Sequence, residues 1–335
     1  MSDLSIRKDR RAGRITFSRP QALNALSHEM AVAIHRALDD WRGDDSVALV
    51  IIDAEGYRAF CAGGDIAAVY HAGRAGDHAV GQGFFADEYR MNAAIADYEK
   101  PVVAFMQGFV MGGGVGVGGH AGHRVVGDTT QVAMPESGIG LIPDVGGTWL
   151  LSRAPGRIGE YLGLTGARMD AGDAIHAGFA DIYLPEAEWD AAKEVLAETG
   201  DVTRLKGRPA PASALADRDL SAFGGRGVDD IMAALEQQGD EGALNPLRRN
   251  SPLSMAATLA MVRAARGDQR MQDALSREYR FTRRATAHSD FLEGVRAQII
   301  DKDRLPVWAA DAGPAAVDAM LAPLGADELE WEDRA

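Results

Sequence analysis

Glu136 and Asp144 stand at the two ends of the segment ESGIGLIPD, directly after the strand-like stretch TTQVAMP. The intervening loop is long enough to return the second carboxyl group to the pocket of the first. Two carboxyl groups in different environments can divide the roles of general base and general acid. Taken singly, Glu136 is also compatible with a solvated charge at a strand end, and Asp144 suits the N-cap of a helix over VGGTWLLSR.

The densest glycine cluster is VMGGGVGVGGH, which contains a G-x-G-x-x-G pattern at Gly114, Gly116 and Gly119. A dinucleotide-binding loop needs a strand that runs directly into the glycines and a helix of several turns after them. Gly108 interrupts the approach, and the following HAGHRVVGD is too short and too rich in glycine for such a helix. These features disfavour a nicotinamide-dependent oxidoreductase.

Two other interpretations of the cluster stay open. The glycines can allow a helix to pack closely on a sheet, because glycine permits close backbone approach. Alternatively, the cluster can act with the second glycine turn, CAGGD. Each turn lies between a strand and the start of a helix, where backbone N–H groups lack intrahelical partners and the helix dipole favours negative charge. Two such turns together would form an oxyanion hole.

The composition excludes several classes of protein. The chain has 335 residues and a formal net charge of −14, which argues against general binding to nucleic acid or to an anionic membrane. It contains no apolar run of the length that spans a membrane. Of the eight histidines, we consider His120, His123 and His176 as ligands; they lack metal-site spacing of the H-E-x-x-H type, so no metal is expected. No G-x-S-x-G motif is present, which disfavours an α/β-hydrolase thioesterase.

Cys61 is the only cysteine, which excludes a disulfide framework and predicts a reducing compartment. The N-terminal stretch is basic but lacks the apolar segment of a secretion signal. We therefore expect a cytoplasmic protein. Cys61 itself is interpreted as a small packed residue, since a thiol nucleophile needs an activating base and none is adjacent in sequence.

Strand-like and helix-like segments alternate up to about residue 200, which predicts an α/β fold. A helix capped by Ser27 is expected to bury one face, and VALVIIDAEG has the continuous apolar character of a strand that is covered on both sides. Asp170 and Gly178 suit the start and end of a later helix.

The composition shifts near residue 200, where KGRPAPASALADRDLSAFGGRG is typical of a connector. Beyond it we predict helices over 252–266, 268–286 and 290–300, the third with a capping box formed by Asp290 and Glu293. The acidic tail GADELEWEDRA is predicted to be solvated. The expected organisation is a core over residues 1–200 and a helical C-terminal region over residues 201–335.

Three motifs occur in order: RAFCAGGDI, GFVMGGGVGV and AMPESGIGLIPDVGGT. Together they resemble the enoyl-CoA hydratase/isomerase (crotonase) superfamily from SRPQALNAL to AGFADIYLP. Three further segments, FFADEYRMN, NSPLSMAATL and EYRFTRRATAHSDFLEGVRAQIIDKDRLPVW, together with the MPESGIGLIPDVGG loop of the third motif, resemble its 3-hydroxyisobutyryl-CoA hydrolase branch. The resemblance implies a crotonase-like spiral of ββα turns that binds an acyl-CoA thioester, followed by a helical C-terminal part.

The resemblance also implies roles for individual residues. The thioester carbonyl oxygen would lie between the backbone N–H groups of Gly64 and Gly113. Positions matching Glu88, Gly113, Glu136 and Asp144 line the substrate site of this branch, and Glu88 would accept the 3-hydroxyl group. Arg58 matches a position where hydratases often carry a basic residue near the CoA phosphates.

Hydratases of the superfamily use two glutamates, and the position of one of them is Gly116 here, which cannot carry a proton. The expected activity is therefore hydrolysis of 3-hydroxyisobutyryl-CoA in valine breakdown, with Glu136 and Asp144 as catalytic residues. Two alternatives stay open: an enoyl-CoA hydratase or isomerase that uses a single glutamate, and a non-catalytic acyl-CoA-binding protein. No cofactor is expected beyond the CoA of substrate and product, the partner is the acyl-CoA, and association of the chain into a homo-oligomer stays open.

Overall fold

The computed structural model describes residues 3–309 and 312–331. The described chain forms two compact units, each assembled from three separate segments. The first unit contains the described residues up to Gly64, Arg90–Ala133 and Arg168–Asp217. The second contains Asp65–Tyr89, Met134–Ala167 and the described residues from Arg218 onward. The last segment of the first unit ends at Asp217. The domain boundary predicted at residue 200 stays a prediction.

Two sheets form the framework of the first unit. The described strands are β1 (Leu4–Asp9), β2 (Ala12–Phe17), β3 (Leu49–Ala54), β4 (Ala59–Cys61), β5 (Val102–Met106), β6 (Phe109–Met111), β7 (His123–Val126), β8 (Gln131–Ala133) and β9 (Ile182–Tyr183). The larger sheet has the order β1-β2-β3-β5-β7-β9, and the smaller has the order β4-β6-β8. Only the β1–β2 pair of these two sheets is antiparallel.

The strands from β3 to β8 alternate between the larger and the smaller sheet along the chain. Each turn of the chain therefore adds one strand to each sheet before a helix follows. This arrangement confirms the predicted α/β class and the spiral of ββα turns.

The α-helices of the described chain are α1 (His28–Arg42), α2 (Ala67–Arg74), α3 (Ala79–Ala96), α4 (Gly113–Gly118), α5 (Gly147–Arg153), α6 (Ile158–Thr165), α7 (Ala171–His176), α8 (Trp189–Thr199), α9 (Val228–Gln238), α10 (Glu241–Arg249), α11 (Pro252–Ala265), α12 (Met271–His288), α13 (Phe291–Val295) and α14 (Pro314–Leu321). None of these helices combines the length and the apolar character that a membrane span requires. Within the described residues, no strand follows Tyr183, so the chain beyond it is helical or irregular.

The core of the first unit follows directly from its apolar strands. All five residues of β5 and five of the six residues of β3 are buried, as expected for strands that are covered on both faces. On one face, Leu49, Ile51 and Phe105 pack against α8, where Trp189 meets the ring of Phe105 edge to face at a centroid distance of 5.4 Å.

The predicted helix caps are confirmed where the capping side chain and the N–H group that it binds are close in sequence. The Ser27 side chain accepts a hydrogen bond from the Met30 N–H at 3.2 Å, and α1 begins at the next residue. Asp170 caps α7 in the same way through the Asp173 N–H at 2.9 Å. Gly178 adopts a φ of +82°, which fits its predicted place just after that helix.

The predicted capping box at residue 290 is wrong. Asp290 is the N-cap residue of α13, but its side chain makes no capping hydrogen bond. Its carboxylate instead accepts the Ser251 hydroxyl at 2.6 Å and the Ala309 N–H at 2.9 Å, while Glu293 pairs with Arg296. The Asp290 carboxylate therefore bonds to Ser251 and Ala309, which are distant in sequence, and not to the first turn of its own helix. A π-helical turn over Arg296–Ile300 completes the predicted helix.

The prediction of a solvated tail holds for only part of the described segment, where Gly325–Asp327 and Glu330 are exposed. Leu329 is buried, the Trp331 indole donates to the Ser276 hydroxyl at 2.8 Å, and Glu328 pairs with Arg280 of α12. The Trp331 and Glu328 side chains thus link the acidic segment to α12. Residues 332–335 lie outside the described residues.

We expect the substitution Gly114→Ala to lower the free energy of unfolding by about 1–3 kcal/mol, as overpacking does in a filled interior. An added Cβ would lie 2.1 Å from the Cys61 carbonyl oxygen, which is a backbone atom and cannot step aside. The matched control is Gly43→Ala at the exposed C-cap of α1, where an added Cβ meets nothing within 4 Å. Denaturant unfolding of both variants measures the difference, and equal stabilities would contradict the close packing of these turns.

Candidate active site

The segment from Glu136 to Asp144 folds back on itself in the second unit. Glu136 begins a short 3-10 helix, Glu136–Ile139, and Gly140 then reverses the chain with a φ of +71°. A side chain at Gly140 would meet the Asp290 backbone at 2.4 Å, so this turn requires glycine. Both carboxyl groups end up buried, with 5% of Glu136 and 4% of Asp144 exposed.

Asp144 does not cap the helix that follows it. The N-cap residue of α5 is Gly146, which has no side chain to cap the helix. Glu278 of α12 holds the loop instead. One of its carboxylate oxygens accepts the Gly146 N–H at 2.7 Å, and the other accepts both the N–H and the hydroxyl of Thr148. The chain just after Asp144 is thereby anchored to a fully buried carboxylate.

The Tyr89 hydroxyl contacts the Asp144 carboxylate directly. The distance from its oxygen to Asp144 Oδ2 is 2.7 Å, and Thr282 Oγ1 lies 3.2 Å from the same phenol oxygen. Tyr89 belongs to α3 and Thr282 to α12. Tyr89 of α3 therefore orients the Asp144 carboxylate, while Glu278 of α12 holds the loop that carries it.

Glu88 and Glu136 each have a buried oxygen that lacks a hydrogen-bond partner among the described residues. These atoms are Glu88 Oε1 and Glu136 Oε2. Buried polar atoms are nearly always hydrogen-bonded in folded proteins, so each exception needs a reason. A ligand hydroxyl or a water molecule would supply the missing donor, and both belong to the chemistry predicted for this site.

The carboxyl groups of this cluster all titrate above their ordinary range. Burial raises the pKa of Asp144 and that of Glu278 to about 7. Burial, followed by the charge of Asp144, raises the pKa of Glu88 and of Glu136 well above 4.5. The Tyr89 hydrogen bond opposes the rise at Asp144. Because the groups also repel one another, the cluster retains protons at neutral pH, as acid–base sites do.

The two glycine turns lie side by side in the first unit. Strands β4 and β6 are parallel, with Cys61 paired to Val110, so the chain leaves both strands at the same edge of the smaller sheet. A Cβ at Gly63 would lie 3.6 Å from the Met111 carbonyl oxygen. Gly64 forms a bridge with Leu26, and Gly113 is the first residue of α4. The structure thus brings the turns that carry Gly64 and Gly113 together.

Other residues singled out in the sequence have plain structural surroundings. The Cys61 thiol is buried and lies 3.5 Å from the carbonyl oxygen of Gly63, which fits the predicted packed residue. The Arg58 side chain is exposed just before β4, and its proposed contact with CoA phosphates stays a prediction.

Sequence reasoning missed Tyr89, Asn92 and Glu278. Glu278 interrupts the apolar face of α12 at helical spacing from Leu275 and Phe281, which is the signal that could have identified it. Tyr89 and Asn92 follow Glu88 on α3, and Asn92 lies one turn further along the helix. Asn92 is fully buried, and both polar atoms of its side chain lack partners among the described residues.

Comparison with known proteins gives consistent matches over almost the whole chain. The family model described as "Enoyl-CoA hydratase/isomerase" matches residues 12–322. The chain is 37% identical to "3-hydroxyisobutyryl-CoA hydrolase, mitochondrial" of Gallus gallus, over 98% of this chain and 91% of the relative. It is 40% identical to the protein of the same name from Xenopus tropicalis, over 89% of this chain and 82% of the relative.

Solved structures of similar chains carry different names. A structure described as an enoyl-CoA hydratase from Rhodobacter sphaeroides 2.4.1 is 54% identical, covers 98% of this chain and 100% of its own, and has a TM-score of 0.95. A carnitinyl-CoA dehydratase from Mycobacterium thermoresistibile is 41% identical, covers 99% of this chain and 100% of its own, and has a TM-score of 0.93.

These comparisons correct the predicted location. The relatives from Gallus gallus, Xenopus tropicalis and Danio rerio are named as mitochondrial enzymes, so the prediction of a cytoplasmic protein is wrong. The prediction of a cytoplasmic protein rested on evidence that indicates only a reducing compartment. A single unpaired cysteine and a missing secretion signal do not distinguish one reducing compartment from another.

We expect the substitution Glu88→Gln to stabilise the protein increasingly as the pH rises. Folding raises the pKa of Glu88 above its unfolded-state pKa of about 4.3. Between these two pKa values the unfolded state ionises more readily than the folded state, so the wild-type protein loses stability as the pH rises. The variant has no such group to ionise. The difference in unfolding free energy should therefore grow in its favour between pH 4 and pH 8, by at most about 1.4 kcal/mol per pH unit.

Urea unfolding at a series of pH values measures this trend. Glu293→Gln is the matched control of opposite sign, because hydrogen bonds from Arg296 lower the pKa of Glu293. That variant should lose stability relative to the wild type above the unfolded-state pKa and match it at low pH. A Glu88→Gln variant whose stability relative to wild type does not change with pH would contradict the buried, proton-retaining state of Glu88.

Proposed function

Since the chain belongs to the enoyl-CoA hydratase/isomerase family and, within it, to the 3-hydroxyisobutyryl-CoA hydrolase branch, we propose that it hydrolyses 3-hydroxyisobutyryl-CoA to 3-hydroxyisobutyrate and CoA. The reaction would serve valine breakdown. The observation that carries this proposal is the pair of buried carboxyl groups at Glu136 and Asp144, one with an unpartnered oxygen and the other with a pKa of about 7.

Backbone amides would polarise the thioester in this mechanism. The N–H groups of Gly64 and Gly113 donate to the carbonyl oxygen, which becomes negative as the tetrahedral intermediate forms. Two neighbouring glycine turns at one edge of the smaller sheet support this role. The proposed chemistry needs only amides and carboxylates, with CoA entering as part of the substrate and leaving as product.

Glu136 would begin the reaction in its ionised form by one of two routes. In the first, a Glu136 oxygen bonds to the thioester carbonyl carbon, the C–S bond breaks, and CoA leaves as the thiolate, which gives a mixed anhydride. Water then cleaves the anhydride, and Asp144 takes its proton. In the second, Glu136 takes a proton from water, whose oxygen adds to the carbonyl carbon before the C–S bond breaks. Asp144 then orients the water and tunes Glu136.

Glu88 would recognise the acyl group through its 3-hydroxyl. Its Oε1 is buried and unpartnered among the described residues, so a substrate hydroxyl can donate to it without displacing an existing hydrogen bond. A site built around such a contact discriminates against analogues that lack the hydroxyl group.

A second candidate function is hydration of an enoyl-CoA with Glu136 as the single acid–base group. The name of the 54% identical structure, an enoyl-CoA hydratase, favours it. The residue Gly116 argues against it, since this position carries no acid in a fully buried stretch of α4. A non-catalytic acyl-CoA-binding protein would perform neither reaction.

We expect thiol release from 3-hydroxyisobutyryl-CoA, recorded with a thiol reagent, and no loss of enoyl absorbance with crotonyl-CoA. Glu136→Gln and Asp144→Asn should each lower kcat by about 100-fold or more, the range of acid–base and nucleophilic groups. Asp301→Asn is the control, because this exposed carboxylate pairs with Arg296 outside the cluster. Hydration of crotonyl-CoA without thiol release would establish the second candidate, and no turnover of either substrate would favour the binding protein.

We expect Glu88→Met to reduce kcat/KM for 3-hydroxyisobutyryl-CoA by about 10- to 100-fold, the cost of leaving the buried substrate hydroxyl without a hydrogen-bond partner. Its effect on isobutyryl-CoA, which lacks the hydroxyl, should be several-fold smaller. Thiol release from the two substrates, measured in parallel, gives this ratio. An equal loss of kcat/KM on both substrates would show that Glu88 does not bind the 3-hydroxyl group.

A further inference from the structure

The Tyr89 hydroxyl is held in place by the packing of its own ring. The side chain is fully buried on α3. Its ring meets that of Tyr279 edge to face at a centroid distance of 6.2 Å and lies 6.3 Å from that of Phe85. Because neighbours on α3 and α12 fix the ring, the position of the hydroxyl does not depend on the hydrogen bond that it makes.

The hydrogen bonds of this hydroxyl have a defined direction. A phenol has one proton, and an ionised carboxylate is a stronger acceptor than a neutral hydroxyl. Tyr89 therefore donates to Asp144 Oδ2 at 2.7 Å rather than to Thr282 Oγ1 at 3.2 Å. Thr282 also lies 3.3 Å from the carbonyl oxygen of Glu278 in its own helix, which gives its hydroxyl proton a separate acceptor.

The surroundings of Asp144 are otherwise dominated by acidic groups. Glu88 approaches from α3, Glu136 from the short helix at 136–139, and Glu278 from α12, and each interacts electrostatically with Asp144. Burial raises the pKa of Asp144, whereas the Tyr89 hydroxyl, followed by the backbone N–H of Asp144 itself, lowers it. The tyrosine is thus the side-chain donor that offsets the burial of this carboxylate.

We propose that Tyr89 is a positioning residue for Asp144: the Tyr89 hydroxyl occupies Oδ2 and so directs the reacting water to Oδ1, which also takes the proton of that water in the anhydride route. The proposal deepens the proposed function and rests on it for the reaction that Asp144 serves. Without the hydroxyl, Asp144 would lose both its fixed orientation and the donor that favours its ionised form.

Kinetics of Tyr89→Phe against pH test this role. In the anhydride route Asp144 must be ionised to take a proton from water, so by that route the acidic limb of the kcat profile should move upward by about one pH unit in the variant. Activity on the acidic side should fall about tenfold and recover at alkaline pH. Tyr279→Phe is the matched control, because its hydroxyl lies 3.4 Å from an Arg283 nitrogen, and its profile should keep the wild-type midpoint.

A titration without substrate separates this proposal from the proposed function. In protein labelled with ¹³C at the aspartate carboxyl carbons, the Asp144 signal is assigned by its loss in Asp144→Asn. Its midpoint should rise by about one pH unit in Tyr89→Phe. 3-Fluorotyrosine at position 89 keeps the hydroxyl and makes it a stronger donor, so it should lower the midpoint. This second substitution keeps the test valid if the phenylalanine variant fails to fold.

The outcomes are distinct. An unchanged Asp144 midpoint in the folded Tyr89 variants, or an equal shift in Tyr279→Phe, overturns the role of Tyr89 whatever the substrate. A uniform loss of kcat at all pH values overturns it as well, since that is the signature of a merely structural residue. The expected shift of the Asp144 midpoint together with no thiol release would retain the tyrosine–aspartate pair and reject the proposed reaction.

Discussion

The hydrogen bonds of the Glu278 carboxylate are the interaction on which the second unit's candidate site depends. Transfer of a carboxylate from water into a protein interior is unfavourable unless hydrogen bonds replace its hydration. Glu278 accepts the N–H groups of Gly146 and Thr148 and the Thr148 hydroxyl, so its burial is compensated by the loop that it anchors. The position of Asp144, two residues before Gly146, follows from this arrangement.

The other carboxyl groups of the cluster have much less compensation. Asp144 retains one tyrosine donor and its own backbone N–H, while Glu88 and Glu136 each keep an oxygen without a partner among the described residues. Such groups reduce the stability of the folded state at neutral pH, because they must either remain protonated or carry a poorly solvated charge. Active sites commonly accept this cost, since proton transfer near neutral pH needs groups whose pKa lies there.

The first unit meets a different constraint, which is steric rather than electrostatic. Its two glycine turns approach so closely that a methyl group at Gly114 would overlap the Cys61 carbonyl group. The interpretation of the glycines as packing residues and their interpretation as an oxyanion hole therefore do not compete. Close packing brings the two turns together, which the proposed role of the backbone amides at the start of α4 and in the CAGGD turn requires.

Patterns that depend on neighbours in sequence predicted much of the fold. The Ser27 and Asp170 caps, the buried run of β3 and the helices over 252–265 and 271–288 all follow from groups a few residues apart. The loop that buries both Glu136 and Asp144 could be predicted for the same reason, since only eight positions separate them. The order of the glycine and acidic motifs indicated the family.

Tertiary structure alone decided which distant groups complete the site. Tyr89 lies 55 positions before Asp144, and Glu278 lies 132 positions after Gly146, so no local periodicity connects these pairs. Local periodicity also fails at Asp290, which accepts hydrogen bonds from the distant Ser251 and Ala309 instead of capping its own helix. Sequence by itself determined which residue types are present and the elements that carry them, because propensity and periodicity are local. Packing determined which carboxyl groups are buried and which donors reach them, because burial and hydrogen bonding depend on residues far apart in the chain.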